Sequence, residues 1–104
     1  MRQSVLNTEA LGRIEGIHQL STRYNQQVEK PHQQQLLELI RKHIDEIEEL
    51  FKKNDPHAII ETGDLLILGF EILLENRASI DAVLLRCFQR YETKLSILLK
   101  NEKM

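Results

Sequence analysis

At 104 residues the chain has room for one domain and a modest core. Apolar residues make up 41% and charged residues 29%, the balance of an ordinary soluble protein, and with three Phe, two Tyr and no Trp the core has to be aliphatic. Fourteen basic against sixteen acidic residues give a formal charge of −2, which argues against the basic surface that nucleic acid demands.

Cys87 is the only cysteine, so an intrachain disulfide is ruled out and a reducing compartment is expected. Its helical-core spacing favours an inert packing role over a reactive thiol. The stretch from Met1 to Leu11 has one Arg and no apolar run, so no signal peptide is expected there. No uninterrupted apolar run approaches the roughly 20 residues of a membrane span. The expectation is a cytoplasmic protein with no membrane partner.

The first predicted helix covers about residues 8–28. Ala10, Leu11, Ile14, Ile17, Leu20, Tyr24 and Val28 recur at intervals of three and four, as one helical face requires. Asn7 or Thr8 can cap its start, and Glu29-Lys30-Pro31 ends it, because the residue before Pro is pushed out of the helical region. The second helix covers about 32–53, with Leu36, Leu37, Ile40, Ile44, Ile47, Leu50 and Phe51 as its stripe. At about 100° per residue, Glu46 falls at the border of that stripe and Glu49 one step further out.

Asn54-Asp55-Pro56 is the sharpest punctuation in the chain: a left-handed residue, an N-cap and a first-turn proline in succession. The third helix, about 56–75, carries Ile59, Ile60, Leu66, Ile67, Phe70, Leu73 and Leu74 on one face. Its other face mixes Glu61, Asp64, Glu71 and Glu75 with Leu65, Leu68 and Ile72. Aliphatic residues on both faces predict burial nearly all round, and hence a dimer partner. After Asn76-Arg77-Ala78-Ser79, with Ser79 as N-cap, the fourth helix covers about 80–100 and repeats at Ile80, Val83, Leu84, Cys87, Phe88, Tyr91, Leu95, Leu98 and Leu99. Short connections favour antiparallel neighbours, so an all-α, four-helix up-and-down bundle forming a single domain, dimerised through its helices, is the expected architecture.

The chemistry concentrates in two acid pairs. Glu61 and Asp64 lie three residues apart inside an apolar run, and Glu46 and Glu49 repeat the spacing upstream. Residues at i and i+3 share a helix face, and an unpaired buried charge is costly, so the acids have to be solvated, paired or bound to a cation. Four carboxylates on antiparallel helices would suit a hard cation, Mg²⁺ or Mn²⁺, which in turn suits polyphosphate. Glu-rich helix faces are, on the other hand, most often simply solvated. The histidines, His18, His32, His43 and His57, form no His-x-x-x-His pair. They read as cap or edge residues, with His18 and His32 standing apart.

The Glu46-x-x-Glu49 and Glu61-x-x-Asp64 pattern, with Pro31-His-Gln-Gln-Gln-Leu-Leu before it, Asp55-Pro-His-Ala-Ile-Ile between the pairs and Ile80-Asp-Ala-Val-Leu-Leu after them, resembles the MazG-like all-α nucleotide pyrophosphohydrolases. The resemblance spans about residues 31–95. It implies Mg²⁺-dependent cleavage of a nucleoside triphosphate to monophosphate and pyrophosphate, a house-cleaning activity, in a homodimer. By the same resemblance Glu46, Glu49, Glu61 and Asp64 would be catalytic metal ligands, and Arg90 and Lys94 would meet phosphate. Two positions depart from the family pattern: Ile60 replaces a second acid, and Phe88 stands where the family has Asn. Those departures support a second reading, a non-catalytic helical bundle acting in dimerisation or partner binding.

Overall fold

The computed structural model describes residues 5–102; residues 1–4, the start of the N-terminal stretch considered above, lie outside it. The fold is all-α, with four helices and no strand among the described residues: α1 (Thr8–Gln27), α2 (His32–Lys52), α3 (His57–Glu75) and α4 (Ile80–Glu102). Three of the four starts have a side-chain cap. The Asn7 side chain accepts a hydrogen bond from the Ala10 N–H at 2.7 Å, Asp55 Oδ1 accepts from the His57 N–H at 2.9 Å, and Ser79 Oγ accepts from the Ala82 N–H at 3.2 Å.

The first three helices end in one shared way. A single left-handed residue follows each, Glu29 (φ 55°), Asn54 (φ 56°) and Arg77 (φ 57°). The next residue's N–H then reaches back to a carbonyl in the last turn: Lys30 to Asn25, Asp55 to Leu50 and Ala78 to Leu73, each at 2.9 Å. This is the Schellman geometry, which satisfies carbonyls left over at a helix end.

Helices α2 and α3 form an antiparallel hairpin in contact along most of its length, and α1 lies across it against both. Leu36 of α2, 1% exposed, is the largest fully buried side chain, and Ile14, Ala58, Leu68 and Ile80 complete the apolar core. Helix α3 is not buried all round as its composition suggests. Leu68 and Glu71 turn inward and are buried, while Asp64, Ile59, Ile60 and Leu66 are exposed.

The closed four-helix bundle expected from the short connections does not form. Among the described residues, helix α4 meets the body near its start, where Ile80 is buried and Asp81 Oδ1 accepts from the N–H groups of Val5 (3.0 Å) and Leu6 (3.4 Å). Every residue from Phe88 to Glu102 is exposed. The radius of gyration, 16.8 Å, exceeds the roughly 13 Å of a compact chain of this length, because α4 projects from a three-helix body.

Candidate functional site

The predicted acid pairs meet only in part. Glu46 and Glu49 of α2 and Glu61 of α3 line one open cleft of about 420 Å³ with Asp45, Leu50 and His57. Glu46 and Glu49 are exposed, and Glu49 lies 3.6 Å from Lys52 Nζ. Asp64 faces a different recess, with Ile17, His43, Ile67 and Leu68. Donor atoms of Glu61 and Asp64 do come within 4.8 Å of each other, but the third member of that group is His43 rather than Glu46 or Glu49. His43 Nδ1 lies 2.9 Å from the Leu39 carbonyl, which fixes that nitrogen as the protonated one and turns Nε2 toward Glu61 Oε2 at 3.2 Å. His57 Nε2 meets the other carboxylate oxygen of Glu61 at 3.3 Å. Spacing along the chain could not reveal His43, because its partners lie across the α2–α3 hairpin.

Arg90 and Lys94 sit apart from all of these acids. They line a shallow groove of about 590 Å³ whose described residues all come from α4, with Gln89, Tyr91, Thr93, Ile97 and Leu98. Along the same helix Leu84, Phe88, Tyr91, Leu95 and Leu98 are spaced four, three, four and three apart, the repeat of a two-helix seam. The last four are each about half exposed or more.

A second polar centre sits where α1, α2 and α3 meet. Glu71, 3% exposed, accepts a hydrogen bond from the Ser21 hydroxyl, and its Oε1 lies 3.5 Å from His18 Nδ1. His18 Nε2 lies 3.3 Å from Glu75 Oε1, and His32 Nε2 lies 3.9 Å from the same oxygen. The His18 and His32 rings, fourteen residues apart in sequence, have their centroids 5.1 Å apart. Behind His32, the Nδ2 of buried Asn25 lies 2.7 Å from Nδ1, while Thr22 Oγ1 lies 3.3 Å from Nε2. The fourteen-residue separation of these histidines hides their proximity, since it arises from the crossing of α1 over α2.

The architecture defines a helical protein with a largely buried polar centre inside a three-helix body and an amphipathic helix projecting from it. Its family is that of organic solute transport protein 1 (Oscp1), to which this chain belongs: the family model matches residues 6–103. No curated protein matches the chain, and no solved structure does. The Oscp1 match overturns the MazG-like resemblance and the nucleotide pyrophosphohydrolase activity inferred from it. The physical reason is visible in the geometry. Two acid pairs on consecutive helices reproduce the E-x-x-E and E-x-x-D spacing, while only one of the pairs enters a ligand-distance group.

Proposed function

We propose that this chain serves organic solute transport as a helical assembly unit that pairs with a second copy of itself through α4. The transport setting is supported by the family to which the chain belongs. The pairing is supported by one observation above all, the uncovered apolar seam on α4. Most helical stability in proteins comes from packing an apolar face rather than from propensity, and the 23-residue α4 leaves such a face uncovered.

A second copy is favoured over an unrelated partner because the chain carries both halves of the contact. The three-helix body exposes Leu20, Tyr24, Ile44, Phe51, Ile59 and Leu66, apolar side chains available to a fourth helix from a second copy. Charge agrees: residues 32–75 hold ten acids and four bases, whereas α4 holds Arg86, Arg90, Lys94 and Lys100 against three acids. Exchange of an identical element between two protomers joins these surfaces at low cost. No helix among the described residues is long and apolar enough to cross a membrane, so the proposed role is to assemble with, rather than to form, a solute path.

The test combines mass and uptake. Light scattering across a concentration series is expected to give a dimer for the wild type and a monomer for Leu95→Glu, with helicity retained. Cells carrying the wild type are expected to differ from cells lacking it in uptake of a panel of organic anions and cations, and the Leu95→Glu protein is expected to remove that difference. A wild type that stays monomeric at every concentration sinks the pairing. Identical uptake with and without the protein sinks the transport role.

A further inference from the structure

We infer that His18, His32 and Glu71, with Glu75 at the rim, form a binding site for one divalent first-row transition-metal ion of the Zn²⁺ class. One donor atom from each of His18, His32 and Glu71 lies within 4.8 Å of the other two, and the three come from three different helices. In a tetrahedral zinc site with bonds near 2.0–2.1 Å the donors stand about 3.4 Å apart. The 3.5 Å between His18 Nδ1 and Glu71 Oε1 is already at that separation.

Electrostatics asks for a cation here. The Glu71 side chain is 4% exposed, and α3 contains neither Lys nor Arg. A buried carboxylate without a positive partner is expensive, and the groups given to Glu71 are the Ser21 hydroxyl and the His18 ring. His18 Nδ1 is buried and has no hydrogen-bond partner among the described residues. A metal ion between the imidazoles and the carboxylate satisfies the nitrogen and the oxygen together.

The surroundings of the cluster are those of a supported ligand set. His32 is held by Asn25, itself 4% exposed, at Nδ1, the ring nitrogen opposite the one that faces Glu75. With the Asn25 amide turned so that its oxygen faces Nδ1–H, the lone pair of His32 lies on Nε2, toward Thr22 and Glu75. Such an outer hydrogen bond is what fixes the tautomer of a metal-bound histidine. The Glu75 side chain, 32% exposed, leaves an entry for the ion. Two imidazoles with carboxylate suit zinc, iron or nickel rather than Mg²⁺ or Ca²⁺, which take oxygen ligands.

The experiment titrates the EDTA-treated, dialysed full chain with Co²⁺, read by its visible ligand-field absorption, and then with Zn²⁺ in competition. One equivalent is expected to bind, with millimolar Mg²⁺ failing to displace it. His18→Gln and His32→Gln are expected each to weaken binding by well over tenfold. Asn25→Ala, which touches no donor, is expected to weaken it by about 10–100-fold, as loss of an outer hydrogen bond does. His43→Gln, at the other His–carboxylate group, is expected to leave it unchanged. Circular dichroism identifies any variant that has lost its helices, and the remaining variants then decide. The inference is overturned if no ion binds, if binding survives both His18→Gln and His32→Gln, or if it follows His43.

Discussion

Helix α3 and helix α4 are both rich in Leu and Ile, yet α3 is packed into the body through Leu68 and Glu71 while α4 leaves that body within two turns. Hydropathy separates them in part, since α3 has four charged residues among 19 and α4 seven among 23. Their polar contacts separate them further, since α3 carries Glu61, Glu71 and Glu75, which meet His43, His57, His18 and His32 on the neighbouring helices and on α3 itself. Among its described contacts α4 has one anchor of that kind, Asp81, and it lies at the first turn. The contrast teaches that here the interior is oriented by where the acids of α3 meet polar groups of neighbouring helices, with aliphatic side chains filling the space around them.

The largest effect that would break this contrast lies in the body. Leu36→Ala removes its most enclosed large side chain and is expected to destabilise the fold by about 2–5 kcal/mol, measured by urea unfolding. Next comes the polar centre. Ser21→Ala deletes the hydroxyl that donates to buried Glu71 and is expected to cost about 1.5–3 kcal/mol in the same assay, whereas replacing exposed Ser96 by Ala should leave unfolding nearly unchanged. Asn54→Ala places a Cβ-bearing residue less tolerant of the left-handed region at φ 56° and is expected to cost about 1 kcal/mol, while Asn54→Gly is expected to be neutral or better. The smallest effect sharpens the comparison from the α4 side. At dilutions where the chain is monomeric, Leu95→Ala is expected to shift unfolding by less than about 0.5 kcal/mol. A large shift there would show that α4 packs against its own body.

The helices themselves were legible residue by residue. The signals at Asn7, Asn54-Asp55-Pro56 and Ser79 are local, and each expected boundary lies within a residue or two of the observed one, because capping depends on a few neighbours in sequence. What was illegible is how the helices cross. The apolar pattern of α3 offered two candidate inward faces, and the choice fell to the partners of Glu71 on α1. The approach of His18 to His32 likewise depends on an interhelical angle that no spacing records. The chemistry was misjudged for the same reason. Four acids at family-like intervals carried the MazG-like resemblance, whereas the groups that converge in space recruit histidines from neighbouring helices.

The repeated ending of α1, α2 and α3 bears on how quickly this protein reaches its fold. Three reversals of the same geometry each join helices through a handful of residues, so the first contacts to form span short loops whose closure takes tens of nanoseconds. The α2–α3 hairpin, with the longest shared surface and one such reversal, is suited to form early and to offer α1 a template, giving a chain of low contact order that folds in microseconds to milliseconds. Pairing through α4 needs a second molecule and would follow as a separate, concentration-dependent phase, visible in a stopped-flow trace as the only step that speeds up when more protein is added.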